Sequence, residues 1–384
     1  MELLDLAIVI LAALAAGRAA EAVRIPAVVG ELLVGLLIGP GLLGWVEPGT
    51  TLTFLAELGV LLLMLQVGLG LESTEMRAVG TPAVRVAVIG VVVPFAAGWV
   101  VAVALGLDAT VALFLGATLA ATSVGITART FSDAGVLEGA EARTVLGAAV
   151  VDDVLGLLVL SVVARIATGE GVDVGATAWS LIVACAFLVL SVAAGSRILP
   201  PVFAWIGRLG PTGHMSVLAA IVVMLGLAEG AARADLAPLI GALVAGFLLA
   251  RTDQAEPISR GVSPIAAVLV PVFFVSVGLE VDVAALAAPS VLALTAALLV
   301  AGAAGKVIAG AGAGRAVDRL LVGIGMVPRG EVGLAFAATG LGLAVLDEDR
   351  YAAVVAVVVA TTIAAPLLVR WRLSATTTQD TARN

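Results

Sequence analysis

The sequence is poor in the residues on which most enzymes and soluble proteins depend. Its 384 residues include one cysteine, one histidine, one tyrosine and one lysine, and only 12% are charged. The lone Cys185 excludes an intrachain disulfide and a cysteine metal site, and no cluster of histidine and cysteine indicates a metal enzyme. Neither G-x-x-x-x-G-K-[ST] nor a strand-flanked G-x-G-x-x-G is present, so we expect no nucleotide and no cofactor. The net charge of −8 argues against a nucleic-acid partner.

Apolar residues take the place of these missing types. They make up 61% of the chain, against about 45–50% in an average globular protein. They recur in runs of about 20 residues, the length that an α-helix needs to cross a bilayer. The sequence therefore predicts an all-α polytopic membrane protein with 13 transmembrane helices, at about 3–22, 26–44, 52–71, 81–105, 110–129, 144–165, 176–199, 214–232, 236–251, 263–280, 289–313, 320–342 and 350–370.

The arginines predict how these spans are oriented. Fifteen of the nineteen arginines fall in one alternating set of loops and ends, and only Arg165, Arg233 and Arg350 fall in the other set. Because cytoplasmic loops are enriched in basic residues, the first set is predicted to be cytoplasmic. We therefore expect a multi-pass protein of the cell (inner) membrane, with its N-terminus outside and its C-terminus in the cytoplasm.

An odd number of spans also predicts two inverted repeats. Spans 1–6 and 8–13, on either side of span 7, begin on opposite faces of the membrane. Their fifth members are both interrupted, span 5 by Thr122–Thr127 and span 12 by Pro328–Glu331. Paired discontinuous helices are typical of the substrate site of secondary transporters. A flexible kink without ligands is the alternative interpretation.

Two adjacent acids and the single lysine are the strongest functional signals. Asp152 and Asp153 lie near the centre of span 6, and Lys306 lies within span 11. Each such charge costs about 2.5–3.5 kcal/mol on insertion scales. A rise of about 1.5 Å per residue places Asp152 and Lys306 roughly 12 Å from their cytoplasmic ends. We expect both aspartates to bind the transported cation and protons, and Lys306 to take part in the charge exchange. A purely structural ion pair is the alternative.

The two interruptions supply further candidate residues at about the same depth. The hydroxyls of Thr122 and Ser123 are possible cation ligands beside freed carbonyl groups. Arg329 and Glu331 lie in the second break. These last two residues either take part in the site, or they simply pair with each other or brace the point where the two broken helices cross.

These stretches resemble the monovalent cation:proton antiporters, in particular bacterial Na+/H+ antiporters. The likeness extends over nearly the whole chain and includes, besides the segments 121–129 and 146–156, Gly30-Glu31, Gly39-Pro40, Gly305-Lys306 and Pro328–Gly333. The resemblance implies that Asp153 is the principal cation and proton carboxylate and that Asp152 forms a salt bridge with Lys306. It also implies a homodimer in which a core domain moves against a dimerisation domain, and electrogenic exchange.

The resulting domain prediction follows the span numbering. It assigns residues 1–80 and 201–285 to the dimerisation domain, 81–170 and 286–373 to the core transport domain, 171–200 to a linker helix and 374–384 to a cytoplasmic tail. The predicted function is a secondary active Na+(Li+)/H+ antiporter that exports sodium by an elevator-type mechanism in a lipid membrane, with Na+ held by Asp153 and Asp152. A K+/H+ antiporter, a sodium-coupled organic-anion symporter of similar fold and a passive channel are the alternatives.

Overall fold

A computed structural model describes residues 2–23, 25–70, 73–169, 174–209, 214–281 and 288–381. No β-strand occurs among these residues, so the prediction of an all-α protein is confirmed. The fifteen α-helices are α1 (Glu2–Ala22), α2 (Ala27–Ile38), α3 (Thr50–Leu69), α4 (Ser73–Ala104), α5 (Ala109–Ala120), α6 (Val124–Asp133), α7 (Ala140–Thr168), α8 (Val174–Leu209), α9 (His214–Arg233), α10 (Pro238–Leu249), α11 (Ala255–Leu279), α12 (Pro289–Ala309), α13 (Arg319–Gly325), α14 (Glu331–Gly342) and α15 (Glu348–Thr381).

The length and composition of the helices fit a chain that crosses a membrane many times. Within the described residues, ten segments are long and apolar enough to span a bilayer, and α5 with α6 forms one of them. Three shorter apolar helices, at Ala27–Ile38, Pro238–Leu249 and Val332–Gly342, lie at the positions of further predicted spans. Large apolar side chains such as Trp179, Val222 and Val300 are more than 60% exposed, as expected for lipid-facing positions. The exact number of thirteen crossings and the inverted repeats stay predictions.

Several helix boundaries differ from the predicted ones for identifiable reasons. Span 2 was expected to reach residue 44, but α2 ends at Ile38, because Gly39 is extended and Pro40 lacks a backbone N–H. Span 7 was expected to end before the proline pair, whereas α8 continues through Pro200 and Pro201. In span 5 the non-helical part is confined to residues 121–123, because Ser123 already caps the N-terminus of α6.

The chain divides into two compact units. One contains residues 1–48, 79–173 and 274–384, and the other contains residues 49–78 and 174–273. This division places the first two helices in the same unit as the predicted core transport domain, and not with residues 49–78. The assignment of a dimerisation domain, a linker helix and a transport domain stays a prediction.

The second unit packs through glycines that bring helix backbones into contact. A Cβ atom at Gly68 of α3 would lie 2.3 Å from the carbonyl oxygen of Leu243 in α10, and one at Gly246 would lie 2.2 Å from that of Leu65. No other residue fits at such a distance, so α3 and α10 pack at their closest possible spacing. Small residues of this kind are the usual means of helix packing in membranes.

The first unit has two buried apolar clusters that flank the broken helices. The first cluster joins α5, α12, α14 and α15 around Phe114 and Phe336, both fully buried. The second joins α4, α6, α7 and α13 around Phe131 and Met326, also fully buried. The breaks at residues 121–123 and 327–330 lie between these clusters along the chain, so close packing fixes the ends of all four half-helices.

Candidate functional site

The two broken segments are hydrogen-bonded to each other. The backbone N–H of Ser123 donates to the carbonyl oxygen of Pro328 at 3.0 Å. The hydroxyl of Thr127 donates to the carbonyl oxygen of Gly325 at 3.0 Å, and that of Thr122 donates to the carbonyl oxygen of Met326 at 3.4 Å. The backbone groups released by each break are thus partly satisfied by the other, which is what a low-dielectric environment requires. We call this meeting point of residues 121–123 and 327–330 the crossover.

Each half-helix end at the crossover has its own partner. The hydroxyl oxygen of Ser123 accepts a hydrogen bond from the backbone N–H of Ile126 at 3.3 Å and so caps α6. At the other side of the break, the carbonyl groups of Ala120 and Ala121 end α5. Lys306 Nζ donates to the carbonyl oxygen of Ala120, and the Arg329 guanidinium donates to that of Ala121. Two cationic side chains therefore meet the partial negative charge of one helix C-terminus.

Lys306 reaches this position because α12 approaches α4 closely. A Cβ atom at Gly305 would lie 2.9 Å from Pro94 of α4, and one at Gly90 would lie 3.5 Å from Lys306 Nζ. The absence of side chains at these two glycines brings the lysine against the backbone of α4. The ammonium group is then 3.2 Å from Asp152 Oδ2 and 3.3 Å from Asp152 Oδ1, and both side chains are fully buried.

The paired aspartates lie in a long, otherwise apolar helix. Valines and leucines surround them in α7, which gives the helix its packing surface and leaves the two carboxyl groups as its only acids between Glu141 and Thr168. Asp152 has an exposed fraction of 0% and Asp153 one of 2%. Neighbouring residues of a helix point about 100° apart, so the two carboxyl groups have different surroundings. Asp152 faces Lys306.

Arg329 is held more firmly than Lys306. Its guanidinium also donates to the carbonyl oxygen of Gly302 at 3.3 Å, and its backbone N–H donates to Thr361 Oγ1 at 3.3 Å. The hydroxyl of Thr362 donates to the Arg329 carbonyl oxygen at 2.9 Å. Backbone and side chain of Arg329 are thus fixed to α5, α12 and α15. These contacts are those that a bracing residue would make, and the choice between the two predicted roles of Arg329 stays a prediction.

The charges of the four buried side chains balance. Asp152 and Asp153 contribute two negative charges, and Lys306 and Arg329 contribute two positive ones when all are ionised. A cation that enters this group leaves it with an excess positive charge unless a proton departs. The arrangement is therefore suited to exchanging one kind of cation for another.

The structure brings together all but one of the predicted site residues. Thr122, Ser123 and Arg329 lie at the crossover, and Asp152 pairs with Lys306 beside it. The two hydroxyls already take part in the crossover hydrogen bonds, and a role as cation ligands stays a prediction. Glu331 begins α14, but its side chain lies outside the described part of the structure. The predicted functional roles of these residues are untested by the geometry.

Sequence reasoning missed the supports of the crossover. The paired hydroxyls of Thr361 and Thr362 stand out in the apolar sequence of α15 and were a usable signal. The carbonyl groups of Ala120, Ala121 and Gly302 offered no signal, because every residue has one. Within the described residues, no group of three or more histidine, cysteine and acidic side chains could hold a metal ion.

Buried ionisable groups beside two crossed half-helices, in a many-helix membrane protein, define a secondary transporter. The family described as "Sodium/hydrogen exchanger, transmembrane" matches residues 7–375. The chain belongs to this family, whose members are transporters and not enzymes, and the resemblance seen in the sequence is confirmed.

Individual relatives agree with this assignment. The chain is 32% identical to the Na(+)/H(+)-K(+) antiporter GerN of Bacillus cereus, over 97% of this chain and 96% of the relative. It is also 32% identical to the high-affinity Na(+)/H(+) antiporter NhaS3 of Synechocystis sp., over 95% of this chain and 88% of the relative. Among solved structures, the sodium proton antiporter MjNhaP1 from Methanocaldococcus jannaschii shares the fold, with a TM-score of 0.69 at 18% identity, over 97% of this chain and 98% of that one.

Proposed function

We propose that this protein is a Na+(Li+)/H+ antiporter that exports sodium in exchange for protons. The observation that carries the proposal is the buried ion pair of Asp152 and Lys306 next to Asp153, at the crossover of two broken helices. Three relatives of similar length support the substrate pair, since their names describe Na+/H+ antiport.

Competition for the carboxylates is the proposed basis of coupling. Asp153, when it has lost its proton, binds Na+ from the cytoplasm. Asp152 contributes a second carboxylate when Lys306 leaves it. After the cation is released outside, Asp153 and Lys306 take up protons, and the charged lysine pairs with ionised Asp152 again. A carrier in which both carboxylates are bare and Lys306 is neutral has a net negative charge. It crosses poorly because uncompensated charge in the membrane is costly, which prevents a leak of one substrate alone.

The exchange is proposed to be electrogenic. With two carboxyl groups and a lysine, more protons than sodium ions are exchanged in each cycle. If one net positive charge enters, a potential of 100 mV contributes about 2.3 kcal/mol. That energy sustains roughly a fifty-fold sodium ratio at about 1.4 kcal/mol per tenfold. An electroneutral exchanger would depend on the pH gradient alone.

The remaining predictions are part of the same proposal. The protein would act as a homodimer in the inner membrane, with its N-terminus outside and C-terminus in the cytoplasm. Its core domain would carry the site across the membrane by an elevator-type movement. The arginine distribution and the resemblance to antiporters of this family are the two observations that support these parts of the proposal.

A K+/H+ antiporter is the second candidate. The name of GerN includes K+ beside Na+, and carboxylate ligands alone do not select between these ions. A sodium-coupled organic-anion symporter is a third, but no relative given above is named for one.

Reconstitution in liposomes tests the proposal. Internal pH is followed by a fluorescent dye after pulses of Na+, Li+ and K+, with Asp153→Asn beside the wild type. Asp253→Asn is the matched control, because Asp253 is exposed in a loop. Loss of cation-driven proton movement in Asp153→Asn alone supports the antiporter, and the response to each ion ranks the substrates. Full sodium-coupled activity of Asp153→Asn would contradict the proposal.

A further inference from the structure

A third buried carboxyl group in the first unit, besides Asp152 and Asp153, has no part in the proposed exchange. Glu31 lies in the second turn of α2 and is 3% exposed. Its Oε1 atom is 3.8 Å from Arg129 of α6, and its Oε2 atom has no hydrogen-bond partner among the described residues. A buried carboxylate with one unsatisfied oxygen is among the least favourable arrangements in a protein interior. Such a carboxylate is found where a proton, an ion or a further polar group satisfies the remaining oxygen.

Arg129 does not complete it, because this arginine is closer to another acid. Its Nε atom lies 2.8 Å from Asp133 Oδ1, one turn further along α6. Even this contact lacks the alignment of a good hydrogen bond, since Arg129 Nε has no acceptor within hydrogen-bond geometry. A single guanidinium therefore serves two carboxylates and holds neither in a bidentate pair. The group of Glu31, Arg129 and Asp133 carries one negative charge more than positive when all three are ionised.

The elements packed against α2 carry charges of both signs, and Arg18 of α1 is exposed. Glu21 near the end of α1 acts electrostatically on both Glu31 and Asp133. α1 covers the carboxylate with its backbone, since a Cβ atom at Gly17 would lie 3.4 Å from Glu31 Oε1. The end of α11 meets α2 at Val275 and Gly278, which are uncharged. α15, which also packs against α2, carries its charges at Glu348–Arg350, Arg370, Arg372 and Asp380.

The group of Glu31, Arg129 and Asp133 lies on the predicted cytoplasmic side of the crossover. Arg129 and Asp133 are six and ten residues beyond Ser123, which places them about 9 Å and 15 Å along α6 from the crossover. The arginine distribution assigns this end of α6 to the cytoplasmic side. A cation that approaches the crossover from the cytoplasm would therefore first meet an excess negative charge at Glu31.

We propose that Glu31 is a second site at which a proton and a monovalent cation compete, on the cytoplasmic side of the crossover. This proposal rests on the antiport function proposed above. Occupation by either ion supplies the missing positive charge, and a carboxylate that holds the proton is closed to the cation. Because this site precedes Asp153, it sets the sodium concentration at which transport is half-maximal and leaves the maximal rate unchanged.

A competition site and a structural salt bridge predict different results when Glu31 and Arg129 are replaced. A competition site predicts opposite changes of the half-saturating sodium concentration for the two variants. Glu31→Gln removes the site and raises the half-saturating sodium concentration about three- to tenfold. This is the effect expected for the loss of one charge at about the 9 Å helix rise that separates Arg129 from the crossover, at an intermediate dielectric. Arg129→Gln removes the competing cation, so Glu31 holds sodium more tightly and half-saturation at alkaline pH falls. A structural pair predicts the same loss for both variants, because each breaks the same contact.

Transport in liposomes at alkaline pH measures these effects. The matched control is Glu57→Gln, an exposed glutamate in the apolar helix α3, which we expect to behave like the wild type. If Glu31→Gln keeps the wild-type sodium dependence, or if both variants shift it in the same direction, the proposal is wrong. A wild-type protein without any cation-driven proton movement would instead contradict the antiporter function itself.

A binding measurement without transport provides the second arm. In the Asp152→Asn/Asp153→Asn background, thermal unfolding is compared in sodium chloride and choline chloride. A ligand that binds only the folded state raises its stability. We expect a sodium-specific stabilisation that disappears when Glu31→Gln is added. If the stabilisation is absent, or persists in the triple variant, Glu31 does not bind sodium. Should the double variant fail to fold, Asp153→Asn alone serves as the background, with the same outcomes.

Discussion

The replacement of Lys306 by glutamine is the most informative perturbation of the site. Glutamine keeps an N–H donor of similar polarity on a slightly shorter side chain, so the main loss is the positive charge beside Asp152. The ammonium lies 3.2 Å from this carboxylate, and both side chains are fully buried. Bulk water does not reach a pair that is fully buried, so the variant leaves Asp152 as an uncompensated charge.

The magnitude follows from that burial. Removal of one partner of a buried pair costs about 3–5 kcal/mol. At about 2 °C per kcal/mol for a long chain, Lys306→Gln should lower the Tm by roughly 6–10 °C. In Lys306→Gln/Asp152→Asn the site holds two neutral amides, whose hydrogen bonds contribute about 0.5–1.5 kcal/mol each. The double variant should therefore recover most of the lost stability.

Thermal unfolding of the four proteins in detergent completes the double-mutant cycle. The expected result is strong coupling, with the double variant more stable than Lys306→Gln. The deficit of Lys306→Gln should also shrink at acidic pH, where protonation of Asp152 removes the unpaired charge. If instead the effects of the two substitutions simply add, Lys306 and Asp152 do not stabilise each other and the assigned ion pair is wrong.

Two further predictions concern the supports of the crossover. Gly330→Ala should lower stability by about 1–3 kcal/mol through overpacking, and should lower transport as well, because its Cβ atom would lie 2.5 Å from Ser123 Oγ. Gly342→Ala is the control, because a Cβ atom at the end of the same helix would lie in open space. Equal Tm values for the two variants would refute the argument. Asp318 lies outside the membrane spans and caps α13, and its Oδ2 atom is 2.7 Å from Arg372 Nε. Burial alone raises the pKa of Asp318. The hydrogen bonds from Arg372 and from the backbone outweigh this effect and lower the pKa below its usual range. A depressed pKa adds stability that is fully present above the unfolded value of about 3.9. The Tm deficit of Asp318→Ala should therefore be constant near neutral pH, begin to shrink near this value and disappear as the pH falls through the lower pKa of the folded state. A deficit that persists in stronger acid would show that the charge is irrelevant.

The sequence predicted the chemistry of the site better than its scaffold. Asp152, Asp153 and Lys306 were evident because a charge inside an apolar span is costly and therefore rare. The two breaks were evident because Pro328 and the polar stretch after Thr122 interrupt apolar helices. These signals depend on the cost of a single residue in lipid, which is a local property that a sequence displays directly.

The contacts that organise the site are of another kind. Lys306 and Arg329 bind the carbonyl groups of Ala120 and Ala121, and such a contact depends on where a helix ends and on which helix lies opposite. The pairing of Glu31 with Arg129 similarly joins residues about 100 positions apart. The sequence offered glycines at the close approaches, but it did not show which helix each glycine would meet. Long-range geometry of this kind follows from packing and not from any residue alone.

The two buried cations differ in a way that predicts which one takes part in proton exchange. Arg329 is fixed by hydrogen bonds from its backbone and its side chain, and a guanidinium does not release its proton under physiological conditions. In the described part of the chain, the hydrogen-bond partners of Lys306 are Asp152 and one carbonyl oxygen. An ammonium can deprotonate when a cation displaces it. We therefore expect Lys306→Arg to keep the ion pair but to change the number of protons exchanged per sodium ion, which the reversal potential of transport in liposomes measures. Because the fully buried site must accommodate a larger side chain, a wild-type elution profile and Tm are the conditions for interpreting the result. A folded Lys306→Arg protein with the wild-type proton-to-sodium ratio would show that the lysine stays charged throughout the cycle, and that the aspartates alone carry the protons.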